Sequence, residues 1–154
     1  MALIYFDIDH AVKTHDKIIE ISGGFNGVND LGRLESIIGH IQNDDYYPSF
    51  EDKLVHLVFA VNKGHCFLDG NKRTSIALGA FLLNINGLDT LVSKFIIEME
   101  NIAVAVADNI VDKELLAEII VSLLNEEEYN EELKLKLISV LQQAAPDNEN
   151  PVDW

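Results

Sequence analysis

Apolar residues recur along this chain at helical spacing, and short polar breaks separate the runs. From about Asp9 to Ser22, the positions Val12, Ile18, Ile19 and Ile21 predict a helix with Asp7 or Asp9 as its N-cap. Gly23-Gly24-Phe25-Asn26-Gly27 breaks that pattern, so residues 23–30 read as an exposed loop or short ribbon. Asp30 can cap a second helix to about Ile41, with Leu31, Leu34, Ile37, Ile38 and Ile41 as its apolar stripe. A polar turn from Asn43 to Pro48 follows. Ser49-Phe50-Glu51-Asp52 then has the form of a capping box. The helix it opens is apolar on nearly every side (Leu54, Val55, Leu57, Val58, Phe59, Ala60, Val61) and closes at Gly64. Another begins near Asn71, carries Ile76, Leu78, Phe81, Leu82, Leu83 and Ile85, and stops at Asn86-Gly87. Helices apolar all round belong in the middle of a fold, so these two are expected to be central.

Residues 93–108 and 112–125 predict two further amphipathic helices, the second capped by Asp112 and ended by Glu126-Glu127-Glu128. A last one, about Asn130 to Ala144, places Leu133, Leu137, Val140 and Leu141 on one side. No internal repeat and no β-alternation interrupts this series. The expected fold is all-α: a compact helical bundle around a central helix–loop–helix, with residues 23–29 as the one candidate for a short β-hairpin. The organisation expected is a main domain over 1–125, a helical extension packed on it over 126–145, and a frayed acidic tail over 146–154.

At 154 residues with 48% hydrophobic content, the chain can bury a sizeable core as one unit. The single cysteine, Cys66, allows no internal disulfide, which fits a reducing compartment. The N-terminal residues have no basic region and no long apolar run, so no signal peptide is expected. No apolar stretch approaches the roughly 20 residues of a membrane span. A cytoplasmic location follows as the expectation. A net charge of −15 disfavours direct nucleic-acid binding, which needs clustered Lys and Arg.

Chemistry concentrates in His65-Cys66-Phe67-Leu68-Asp69-Gly70-Asn71-Lys72-Arg73-Thr74, between the two central helices. It holds a base candidate, a carboxylate and several groups able to hold phosphate. A polar loop ending at a helix N-terminus is a ready anion site, because free N–H groups and the helix dipole point at it. The stretch therefore reads as a phosphate-handling active site. His10, His15, His40 and His56 are scattered without metal-ligand spacing and receive no role.

The pattern His-x-Phe-x-Asp-Gly-Asn-Lys-Arg-Thr resembles the Fic/Doc superfamily, and Lys72 after Asn71 is closer to its Doc (death-on-curing) branch than to typical Fic enzymes. Gly23-Gly24 and Asp30-Leu31-Gly32-Arg33-Leu34-Glu35-Ser36 also look like that branch, and the likeness covers roughly residues 5–90. Cys66 stands where Pro is common, at a position without a chemical role in the family pattern.

The resemblance implies a role for each motif residue. His65 would be the general base, taking the proton of an attacking hydroxyl. Asp69 would hold Mg²⁺. Gly70 would let the backbone approach a phosphate, Asn71 would donate to phosphate and cap the next helix, and Arg73 would clamp phosphate by charge-assisted bonds. Lys72 bears on the reaction. A Gly there goes with AMP transfer, whereas a Lys goes with ATP bound the other way round and γ-phosphoryl transfer. The implied activity is transfer of a phosphoryl group from ATP to a Thr or Ser hydroxyl by the toxin of a toxin–antitoxin pair that stops translation. A threonine of elongation factor Tu would be the acceptor. Fic-type AMP transfer and a non-catalytic nucleotide- or partner-binding role are the alternatives. The Gly23–Asn29 loop resembles the family's flap, which pairs with an extended target segment. Ser122-Leu123-Leu124-Asn125-Glu126 matches five positions of the family's inhibitory motif. Glu127 breaks the sixth, so a separate antitoxin chain is the expected restraint.

Overall fold

The computed structural model describes residues 2–144, and the expected tail over 146–154 lies outside them. Among the described residues there are seven α-helices: α1 Ile8–Ser22, α2 Leu31–His40, α3 Phe50–Lys63, α4 Asn71–Ile85, α5 Val92–Ala107, α6 Lys113–Leu124 and α7 Glu131–Ala144. A 3-10 turn, Asp89–Leu91, leads into α5. Five starts are fixed by the caps their sequences offer, Asn130 of α7 accepting from the Leu133 N–H at 2.8 Å. Asp7 accepts from the His10 N–H, Asp30 from Arg33, and Asp112 from Leu115. Ser49 and Asp52 complete a reciprocal capping box.

α3 and α4 occupy the centre. Leu54, Leu57, Val58 and Val61 of α3 and Leu78, Leu82 and Leu83 of α4 are buried in one cluster, which Phe95 and Met99 of α5 and Leu116, Ile119 and Ile120 of α6 complete. Each such side chain contributes about 1.5–3 kcal/mol on burial, so the pair flanking residues 65–70 is anchored on both sides. Leu133 and Leu137 bring α7 into the same cluster. Lys53 is also buried, its amine donating to the Ile41 carbonyl at 2.8 Å and to Asp44 at 2.7 Å.

Several details depart from expectation. No hairpin forms over 23–29; the only bridge among the described residues pairs Val28 with Phe67, antiparallel. The ribbon pairs with the motif loop rather than with itself. Ile21, Leu31 and Leu141 face solvent instead of the core. The buried stripe of α1 is Ala11, His15 and Ile19, an i, i+4, i+8 row with a histidine in its middle. Asn71 is not the cap of α4: Gly70 takes that position in the left-handed region (φ 80), with no side-chain cap.

Candidate active site

The site begins where α3 ends. The Gly64 N–H bonds the Ala60 carbonyl at 2.8 Å. A Cβ at position 64 would lie 2.5 Å from that oxygen, so only glycine closes the helix this tightly. The chain then turns at His65, whose φ is +50°. A left-handed non-glycine residue is uncommon, although His is among those that adopt it. Such conformations persist only where surroundings impose them. Here α2 and the turn before it impose it. Arg33 Nη1 donates to the Gly64 carbonyl at 2.6 Å, Asn29 Nδ2 to the His65 carbonyl at 2.7 Å, and the Asn29 and Asp30 N–H groups to Cys66 O at 2.8 and 3.0 Å. With its backbone held, the His65 residue is left exposed to solvent.

Cys66 and Phe67 drop into the core. Burial pushes the Cys66 thiol above its ordinary range, which removes thiolate character and leaves a packing role. The Phe67 ring stacks on His15, with centroids 3.8 Å apart and planes within 5°. Asn71 Oδ1 accepts from the Phe67 N–H at 3.1 Å, and its Nδ2 donates to the Phe67 carbonyl at 3.0 Å. Asn71 therefore clasps the loop rather than reaching outward or capping α4. From the other side, Leu68 N–H donates to Gly27 O at 3.1 Å.

Asp69 is held at three atoms. Its carbonyl meets His15 Nε2 at 2.6 Å. Its carboxylate oxygens accept one each from the Gly70 N–H at 2.8 Å and the Phe25 N–H at 3.1 Å. Those N–H groups, Phe25 first, and then the nearby Arg73 charge hold its carboxyl below the ordinary carboxylate range. The group is ionised at neutral pH and close to solvent. One such carboxylate beside a phosphate site suits Mg²⁺, which takes one or two carboxylates and completes its shell with phosphate oxygens and water. Among the described residues no group of three or more His, Cys, Asp or Glu is placed to hold a metal ion by itself.

α4 opens with no acidic residue in its first turn and with Lys72 and Arg73 in it. Cations at a helix N-terminus oppose its dipole, and the first N–H groups have no intrahelical acceptor. α1, α2, α3, α6 and α7 solve this with a side-chain cap; α4 does not. Local conflicts of this kind are expected at functional sites, and free N–H groups at a helix start suit an anion. Lys72 is exposed. Arg73 bonds the Ser22 hydroxyl and, at 2.9 Å, the Gly23 carbonyl at the end of α1. Beyond Arg73 an apolar groove continues between α1, α4 and α5, with Lys13, Lys17, Ile18, Ile21, Ile76 and Ile96 among its lining.

The expected site residues thus converge on one loop: His65 at its start, Asp69 and Gly70 at its end, Lys72 and Arg73 on the helix after it. Sequence reasoning missed Asn29, Arg33 and His15. His15 left a signal in the hydrophobic pattern, a polar residue on the buried stripe of α1, which must find a partner, whereas Asn29 and Arg33 lay in segments marked only by family likeness. The Ser122–Glu126 segment ends α6, where the Ser122 hydroxyl donates to Glu127 O at 3.3 Å; the bonds of Arg73 go to α1.

Helix–loop–helix architecture, an ionised carboxylate and a cationic helix start without a side-chain cap form a site whose chemistry suits an anion. Residues 5–83 match the model of the Fic/DOC family, and the chain belongs to that family. It is 37% identical over 84 residues to "Protein kinase doc" of Escherichia phage P1, covering 52% of this chain and 66% of that protein. It is 36% identical over 70 residues to "Toxin Doc" of Mycolicibacterium smegmatis, covering 43% of this chain and 54% of that protein. The chain thus spans less than two thirds of the length of these relatives. No described helix is long and apolar enough to cross a membrane.

Proposed function

We propose that this chain is a Doc-like transferase that moves the γ-phosphoryl group of ATP onto a Thr or Ser hydroxyl of a target protein. The observation that carries this reading is the start of α4: an uncapped N-terminus with Lys72 and Arg73 in its first turn, directly after the ionised Asp69. In-line phosphoryl transfer asks for positioning and charge neutralisation more than covalent chemistry, and these groups supply both. The target oxygen attacks the γ-phosphorus, the bond to the β–γ bridging oxygen breaks, and ADP leaves. His65 takes the hydroxyl proton as the new P–O bond forms. Arg73 and the first N–H groups of α4 hold the charge that builds on the phosphate oxygens. Lys72 favours the γ-phosphate orientation by filling the pocket that AMP transfer would need. Mg²⁺, held by Asp69, would neutralise the phosphates and orient them.

The wider role follows the same reading. The protein is a cytoplasmic toxin that stops translation, with a threonine of elongation factor Tu as acceptor. An antitoxin chain restrains it, and the groove beside Arg73 is the surface such a chain would cover. Two forms of ATP, labelled on the γ- or the α-phosphate, test the reaction. Transfer of γ label to protein, lost in His65→Ala, supports the reading. Transfer of α label alone overturns it in favour of AMP transfer. Nucleotide binding without transfer of either label overturns it in favour of a binding role.

A further inference from the structure

We infer that His15 is a positioning residue that sets Asp69 from beneath the loop. The inference rests on the reading of Asp69 as the group that holds the metal. His15 lies in the middle of α1, and its side chain has no exposure to solvent. A buried imidazole must pair its nitrogens. Nε2 meets the Asp69 carbonyl at 2.6 Å, and because a carbonyl only accepts, Nε2 is the donor. Nδ1 faces Asp16 Oδ1 at 3.1 Å, a second acceptor, so this nitrogen donates as well and holds the ring from the solvent side. The ring face lies flat on Phe67, two residues before Asp69. A single side chain thus fixes the loop at two points, by stacking at Phe67 and by a hydrogen bond at Asp69.

The carboxylate then has little freedom. Its backbone is pinned from below by His15, while the Gly70 and Phe25 N–H groups take one oxygen each from above. A Cβ built on Gly70 would lie 3.5 Å from His15 Nε2, so the imidazole sits beside the left-handed residue that starts α4. Packing alone would be served by any flat apolar ring. The hydrogen bond to Asp69 is what requires histidine. Partners of this sort, one step behind a metal-holding group, typically change metal affinity about 10–100-fold when removed.

Two substitutions separate the roles. His15→Phe keeps a ring for Phe67 and deletes the donor; His15→Gln loses the ring and keeps an N–H that reaches the Nε2 position. Full-length wild type and both variants are compared by thermal melting, by Mn²⁺ and Mg²⁺·ATP binding, and by hydrogen exchange at the Phe25 and Gly70 amides. The expected result is a fall in metal·ATP affinity of about 10–100-fold in His15→Phe, with loss of protection at both amides. His15→Gln should retain affinity and protection even if its melting temperature falls further. Equal affinity and protection in His15→Phe and wild type would overturn the inference. So would losses that follow melting temperature across both variants, since that is the signature of packing alone. If wild type binds no metal·ATP but the amides still lose protection in His15→Phe and keep it in His15→Gln, positioning by His15 stands and the metal role of Asp69 fails.

Discussion

Gly24 leaves no room for a side chain beside the Asp69 carboxylate, and replacing it with alanine tests that close approach. Its φ is +123°, and a Cβ there would lie 2.5 Å from Asp69 Oδ2, 3.0 Å from Ile19 Cδ1 and 3.2 Å from Arg73 Nη2. The Asp69 carboxylate cannot swing aside freely, because the Phe25 and Gly70 N–H groups hold it. Gly24→Ala must therefore break the Phe25 bond or lift the flap, and either change moves Asp69 or Arg73. Gly87 supplies the control. Its φ is +81°, and a Cβ there meets nothing within 4 Å. Gly87→Ala thus pays backbone strain alone, about 1–2 kcal/mol, which lowers the melting temperature by about 2–8 °C for a chain of this size. Gly24→Ala should show strain of the same order and, in addition, lose about tenfold or more of its transferase rate, the usual consequence of a small misplacement in a positioned site. Melting curves and label transfer from ATP, normalised to folded protein, measure both effects. Equal normalised rates in the two variants would refute the claim that the flap is seated against the carboxylate.

Lys72→Gly should raise the ratio of α-label to γ-label transfer by about tenfold or more, the scale on which one pocket contact discriminates; an unchanged ratio in a double-label assay would remove Lys72 as the selector. His56 gives a pH dependence remote from the site. Burial first, then the Lys113 amine at 3.0 Å from its Nδ1, lowers its pKa from 6.5 to about 4. Because the folded value lies below the unfolded one, stability from this group is complete above pH 6.5 and is lost as pH falls toward 4. Discounted for partial exposure, the loss should be about 1–2 kcal/mol. Urea midpoints should fall less steeply with acid in His56→Phe than in wild type, and parallel falls would contradict the assignment. Cys66 should resist alkylation at pH 7 until the protein unfolds, and Cys66→Ala should keep its transferase rate at a cost of about 1 kcal/mol in stability; rapid labelling of native protein would show that the thiol is accessible after all.

The fold was largely legible because its signals are local. Asp7, Asp30, Ser49 and Asp112 sit at the helix starts that their own sequences announce. The apolar segments before and after the motif could only be central helices. The loop was legible as a site because its residue types are dense and end at a helix start. What was not legible depends on separation along the chain. His15 and the Asp69 carbonyl are 54 residues apart, and Asn29 and the His65 carbonyl 36 apart; no periodicity encodes either pairing. The role of Asn71 was misread for a related reason. An Asn at a helix start ordinarily caps it, but the left-handed Gly70 already makes the turn and frees Asn71 to clasp Phe67. The ribbon at 23–29 looked like a hairpin because glycines favour tight turns, yet Phe25, Gly27 and Asn29 bond to residues 65–69 and Gly23 to Ile19 and Arg73 rather than to one another.

The most direct test of the central claim is the intact mass of elongation factor Tu after incubation with this protein, ATP and Mg²⁺, with His65→Ala as the control. The account predicts a gain equal to one phosphoryl group on a threonine, absent with the variant. A gain equal to one adenylyl group, or a phosphoryl gain that persists with His65→Ala, would contradict it.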